Sequence, residues 1–257
     1  MPEESSSIKN YLLPLGVALA SVALWGALAG LHIFPKAAFP SPLDVIAGFR
    51  EEILTGRLFN DLVASLFRVM VGFTLAVLLS VPLGLWLGQH MRARAALLPA
   101  INFFRSLSPL AWIPFAILWF GVGDLPVIFL IFMSTFFPLV LATLAAVANI
   151  PAVYFRVAQD YGFRGGELLA RVTLPAILPQ VITALRVTAG VAWLVVVAAE
   201  MIAGRDGLGF AIWDARNGLR TDLLVCGMIV IGIIGVLLDR ILLRLTKMQS
   251  VRWGYER

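Results

Sequence analysis

Apolar residues gather in six long stretches, at about 11–33, 62–88, 98–120, 125–148, 181–203 and 222–244, each set off by short polar loops. Inside hydrocarbon every backbone amide must find its partner within its own segment, so stretches of roughly twenty apolar residues predict membrane-crossing helices. Val69 to Gln89, twenty-one residues without a charge, is the cleanest of them. The third stretch is punctuated by Pro99, Arg105, Pro109 and Pro114, which predicts a broken or interfacial start. The first, Tyr11 to Phe34, is too long for a secretory leader and is followed by Pro35 and Lys36, so it reads as a retained helix. No internal repeat or low-complexity segment interrupts the series. The expected fold is an all-α polytopic membrane bundle, a single domain over 1–257 with its core at 62–244.

Three polar segments break the pattern. On one side, Pro35 to Asp61 carries Ser41, Pro42 and Asp44, a helix-start signature for a short surface helix, and Gly204 to Thr221 is too polar to span. On the other side lies a loop at 152–179. Within it Gly162 is followed ten residues later by Val172, then Leu174 and Pro175. This spacing predicts a helix pair: one helix from Tyr154 to Asp160 that stops at Gly162, and a second from Gly165 or Gly166 to Thr173 that Pro175 ends. Leu168, Leu169 and Val172 would share an apolar face of the second helix, with Glu167 and Arg171 paired one turn apart.

Composition agrees with lipid as the solvent: 60% of residues are hydrophobic and 14% charged, with mean hydropathy +0.93. Soluble domains carry about 25% charge. The net charge of +5 is spread over short loops rather than striped along a face, which argues for positive-inside topology and against nucleic acid. With the N-terminus in the cytoplasm, twelve of the twenty basic residues fall inside (Lys9, Arg92, Arg94, Arg105, Arg156, Arg164, Arg171, Arg240, Arg244, Lys247, Arg252, Arg257). Six fall outside (Lys36, Arg50, Arg57, Arg205, Arg216, Arg220), and Arg68 and Arg186 sit near helix ends. Both termini are therefore expected in the cytoplasm, the charged tail with Trp253 and Tyr255 included. The lone Cys226 excludes a disulfide within the chain, and His32 and His90 fall at opposite membrane faces, so no metal or catalytic pair is expected. No glycine-rich phosphate loop ending in Lys-Ser or Lys-Thr exists, so nucleotide hydrolysis would reside on another chain and no cofactor is expected here.

Charge inside the apolar stretches is scarce and therefore informative. Glu200, near the outer end of the fifth stretch, would either line or gate a path or pin two helices through a salt bridge, with Arg68 as its mate. Arg186 would snorkel to headgroups or guard the inner end of an anion route, and Arg105 invites the same division. Trp193 is a candidate for the path, while Trp112 and Trp119 suit headgroup anchoring.

The elbow and the helix after it, LPAILPQVITALRVTAGVAWLVVVAAEMIAG, resemble the coupling loop and following helix of permease subunits in bacterial ATP-binding-cassette importers, most of all the branch for nitrate, taurine, aliphatic sulfonates and bicarbonate. FPSPLDVIAGF, SLFRVMVGFTLAVLLSVPLGLWLG, RSLSPLAWIPFAILWFGVGD and GLGFAIWDARN carry the resemblance over residues 39–245. The three positions that name the family loop read Arg156, Val157 and Ala158, so a contact made by the family's glutamate does not transfer. The resemblance implies that Ala158, Gln159, Asp160, Gly162, Phe163, Leu174 and Pro175 couple to an ATPase. It implies a second copy of the chain, two ATPase subunits that bind ATP, a solute-binding protein outside, and a place in the inner membrane. A secondary transporter or channel acting alone would need paired broken helices or several intramembrane acids, and uptake by the chain in ATP-free vesicles would reveal it.

Overall fold

The computed structural model describes residues 4–31, 33, 35 and 37–246, with side chains over 13–244 apart from positions 32, 34 and 36. The expectations for His32, Lys36, Lys247, Arg252, Trp253, Tyr255, Arg257 and the Lys9 side chain lie outside the described residues. Among those residues all regular structure is helical. The order is α1 (Glu4–Gly30), α2 (Pro42–Leu54), α3 (Arg57–Gln89), α4 (Met91–Ser106), a 3-10 turn (Pro109–Trp112), α5 (Ile113–Phe120), α6 (Asp124–Ala148), α7 (Ala152–Asp160), α8 (Gly165–Leu168), a π turn (Leu169–Thr173), α9 (Leu174–Ala203), α10 (Leu208–Asn217) and α11 (Thr221–Thr246).

Five helices are long and apolar enough to cross a membrane, and the third apolar stretch makes a sixth span only as a bent pair, Met91–Ser106 and Pro109–Phe120, at 87°. The bend follows from sequence. Leu107 and Ser108 take extended backbone immediately before Pro109, whose ring disfavours helical geometry in the residue preceding it.

The chain packs as two compact units, one from the residues up to Asn60 with Ala211–Val230, the other from Asp61–Phe210 with the chain from Ile231 onward. In the first, α2 opens on a capping box. The Ser41 hydroxyl accepts from the Asp44 amide, and the Asp44 carboxylate accepts from the Ser41 amide. Gly48 lets α2 approach Leu223 and Cys226 of α11, and the Cys226 thiol donates to the Val45 carbonyl at 3.2 Å. Arg220 grips Glu51 and Asp222, which holds the Glu51 carboxyl below the usual carboxylate range.

The second unit is built around α6, where Val127, Leu130, Ile131, Leu139 and Val140 are fully buried. Against it α9 sets small and branched residues, Ala192, Val196, Ala199 and Ala203, none of them exposed. On α3 a small residue recurs every fourth position, Gly72, Ala76, Ser80, Gly84 and Gly88, a stripe that lets backbones approach closely when lipid supplies no hydrophobic drive. The fit is tight: a Cβ on Gly84 would lie 2.6 Å from the Thr143 Cβ, and one on Gly88 the same distance from the Val147 Cβ. Gly84→Leu should therefore destabilise the bundle by about 1–3 kcal/mol, read as a lower unfolding temperature in detergent.

One expectation is corrected. Pro175 does not end the second elbow helix. The chain runs on through a π turn into α9, giving one helical stretch from Gly165 to Ala203. The wider turn explains this: the Leu174 amide reaches back five residues to the Leu169 carbonyl, and Pro175, lacking an amide, then occupies the opening turn of α9 where a donor is least needed.

Candidate functional site

At one end of the second unit the elbow forms as its spacing requires. Helix α7 closes on Gly162, whose φ of +80° puts it in the left-handed region. The Phe163 amide donates to the Ala158 carbonyl and the Gly162 amide to the Gln159 carbonyl, both at 2.9 Å, a Schellman closure. Open space surrounds Gly162, so backbone conformation alone calls for glycine there. After the turn Phe163 stacks on Tyr161, the Arg171 guanidinium lies 5.3 Å over the Phe163 ring, and Arg171 pairs with Glu167 at 3.4 Å.

The elbow encloses a largely apolar cleft of about 540 Å³ lined by Val153, Tyr154, Val157, Tyr161, Val172 and Pro175. Leu168, Leu169 and Val172 are half-buried, the apolar face expected of the second helix. Ala158 is buried, whereas Gln159 and Asp160 point outward and Leu174 and Pro175 remain exposed. Tyr154, Val157 and Tyr161 are exposed as well, so a large apolar surface stands open on the most polar part of the chain.

At the far end of the same unit lies a buried charge cluster. Arg68 on α3, 1% exposed, donates from Nη1 to Glu200 Oε1 and to the Asp206 carbonyl, both at 2.8 Å. Its Nε donates to Asp124 at 2.7 Å, and Nη2 reaches the Asp206 carboxylate. Glu200 is fully buried and accepts further bonds from the Ser65 hydroxyl and the Gly209 amide, each at 2.9 Å. Ser65 in turn accepts from the Leu208 amide, and Asp61 from the Gly207 amide. Three consecutive amides leading into α10 thus end on oxygens of α3 and α9, where the positive end of a helix favours them. Gly207, at φ +101°, admits no side chain, because a Cβ would lie 2.5 Å from the Glu200 carboxylate.

Arg68 and Glu200 are therefore the pair that their positions suggested, but within a wider network. Asp61, Ser65, Asp124 and Asp206 were not anticipated, although Asp61, Ser65 and Arg68 recur at spacings of four and three on one face of α3. Trp193 is buried between α9 and α11, with its indole N–H donating to the Ile231 carbonyl at 3.1 Å and its ring against Gly235. Arg186 makes a two-pronged ion pair with Asp239 of α11, at 2.6 and 2.9 Å. Trp112 and Trp119 belong to an aromatic cluster with Phe104, Phe115, Phe120 and Phe129 around the bent pair.

Residues 80–253 match the family described as the inner membrane component of binding-protein-dependent transport systems. Among curated relatives, the taurine transport system permease protein TauC of Escherichia coli is 35% identical, over 90% of this chain and 86% of its own length. The putative aliphatic sulfonates transport permease protein SsuC of Bacillus subtilis is 32% identical over 96% and 87%, and the bicarbonate transport system permease protein CmpB of Synechococcus elongatus 33% over 91% and 87%. Among solved structures, a chain of the MetNI methionine ABC transporter in an inward-facing conformation aligns with TM-score 0.68 at 16% identity, over 76% of this chain and 97% of that one. A chain of a bacterial alginate ABC transporter aligns with TM-score 0.64 at 14% identity, over 94% and 96%.

Proposed function

The chain belongs to the family of inner membrane components of binding-protein-dependent transport systems, the permeases of ATP-binding-cassette importers, and from this we propose that two copies of it form the translocation path for a small oxyanion such as nitrate, taurine or an aliphatic sulfonate, or bicarbonate. Two separate ATPase subunits would drive the path from the cytoplasm, and a solute-binding protein would deliver from outside. The twelve-to-six distribution of basic residues supports an orientation with both termini and the elbow in the cytoplasm.

The observation that carries this reading is the open apolar cleft of the elbow on a chain that has no phosphate loop of its own. A cleft braced by Gly162 and continuous with α9 through the π turn can receive a push and pass it along a spanning helix. The Arg68 cluster at the opposite end would then be the outer lock, joining α3, α6 and α9 until the halves rock apart.

Reconstitution tests the proposal. Vesicles holding the permease, its ATPase and its binding protein should take up labelled solute only with ATP inside the assay's ATPase-facing compartment. Uptake by the permease alone in ATP-free vesicles would contradict it. Val157→Glu, which places a charge in the cleft, should weaken ATPase capture in a tagged pull-down about tenfold, and undiminished capture would remove the cleft as the docking surface.

A further inference from the structure

The bent pair carries a charge that neither the elbow nor the Arg68 cluster uses. Arg105 stands in the last turn of α4, next to Phe104, whose ring stacks on Phe137 of α6 at 5.4 Å. Phe137 lies thirteen residues after Asp124 and eleven before Ala148, so this level is about 20 Å from one end of the spanning helix and about 17 Å from the other. The charge pattern along the chain set Arg105 with the inner residues. The stacking moves it to the middle of the span and leaves the inner excess of basic residues at eleven to six. Neither role weighed for it from sequence survives this depth: headgroups lie beyond the reach of its side chain, and the inner end of a route is several turns away.

The surroundings of Arg105 do not balance it. Arg68 and Arg186, also on spanning helices, both end on carboxylates, whereas the Arg105 guanidinium makes no ion pair or hydrogen bond among the described residues. It is exposed, and so are Asn102 and Ser106, which share its side of α4. The Ser106 hydroxyl donates to the Asn102 carbonyl at 2.8 Å, but the Asn102 carboxamide is unpartnered among the described residues. The negative end of α4 favours a cation there without neutralising it.

A guanidinium at this depth has three surroundings open to it. Hydrocarbon is the costliest, and charges at the centre of a span turn instead to protein or to a water-filled cavity. A second copy of the chain has no counter-charge to supply. Glu200 and Asp124 are engaged by Arg68 and Asp239 by Arg186, while Asp61, Glu167 and Asp222 stand near the ends of their helices. What is left is a wet space whose counter-charge arrives from outside the protein.

We propose that Arg105 is the charge-selecting residue of the translocation path. The anion in transit supplies the missing counter-charge at mid-membrane, its oxygens on the Arg105 guanidinium and the Asn102 carboxamide beside it as a neutral donor. The inference rests on the reading of the chain as a permease for an oxyanion, and adds which residue meets the solute and at what depth. With no resident carboxylate there is nothing for the solute to displace, and a single charged contact in a wet site attracts an oxyanion without trapping it, as passage requires.

The test uses the permease with its ATPase and binding protein in vesicles, and labelled nitrate, taurine or bicarbonate, whichever the unaltered complex accumulates. Arg105→Gln should lower uptake about tenfold or more with unfolding temperature and ATPase capture unchanged, and Arg105→Lys should keep most of it. Cys226 is the only native cysteine and is 1% exposed, so Arg105→Cys adds the accessible thiol of this chain. That thiol should react with a sulfonatoethyl methanethiosulfonate, which does not enter lipid, forming a mixed disulfide with loss of methanesulfinate that mass spectrometry counts. The aminoethyl reagent, which returns a positive charge, should restore uptake toward the lysine level, while the sulfonatoethyl group should hold it at or below that of glutamine. An unaltered complex that accumulates none of the three solutes overturns the path reading and this inference with it. Uptake by the unaltered complex together with normal uptake by Arg105→Gln, an unreactive thiol, or equal restoration by both reagents overturns the inference alone.

Discussion

Replacing Gly162 with valine is expected to abolish ATP-driven uptake while the protein still inserts and the ATPase still turns over. The reason is local. At φ +80° a β-branched side chain is strained by roughly 1–3 kcal/mol, and no neighbour stands close enough to compensate or to be displaced. The chain can relieve that strain only by abandoning the turn, which breaks the two hydrogen bonds that close α7 and swings its exposed face of Tyr154, Val157 and Tyr161 away from Phe163 and Val172. Asparagine is the control, since it tolerates left-handed geometry: Gly162→Asn should keep most of the uptake. Measured as solute accumulated per ATP hydrolysed, valine should fall by about tenfold or more and asparagine by much less. Normal coupling in the valine protein would remove the elbow from the mechanism.

The second large effect concerns Arg68. Arg68→Met leaves Glu200 wholly buried with its charge unbalanced, and breaking a buried pair in this way costs about 3–5 kcal/mol. The expected result is a complex that unfolds at markedly lower temperature or fails to assemble in detergent. Glu200→Gln should behave differently. An amide oxygen can still accept from Arg68, Ser65 or the Gly209 amide, so assembly should persist while uptake declines. The double change Arg68→Met with Glu200→Met separates bracing from gating, because apolar replacement of both partners tends to restore stability. Recovery of folding without recovery of uptake supports a lock that must open. Recovery of both would reduce the cluster to a brace.

Much of this architecture was legible before any coordinates. The five uninterrupted spans follow from apolar length, the surface helix from Ser41 and Asp44, and the end of α7 from Gly162, because each of these depends on neighbours within a few residues. The pairing of Arg68 with Glu200 was reachable as well, since so few intramembrane charges leave few mates. Pro175 was misjudged for an instructive reason: a proline does not by itself end a helix, as Pro82 in α3 and Pro138 in α6 show, and here the π turn at Leu169–Thr173 leads straight into α9 with Pro175 in its first turn. No single-residue signal announces such a turn.

What the sequence determined by itself is therefore the solvent, the spans and the elbow, all properties of segments and their composition. What only the tertiary structure decided is which segments meet. Asp124 of α6 and Asp206 of the loop after α9 converge on Arg68, the Gly209 amide at the start of α10 reaches Glu200, the Gly207 and Leu208 amides reach Asp61 and Ser65 beside them, and Asp239 reaches Arg186 across fifty-three positions. Such contacts arise from close helix packing along the small-residue stripe of α3 and the glycines beside Trp193 and Glu200. That geometry depends on absent side chains, and a missing atom acquires meaning only once its neighbour is known.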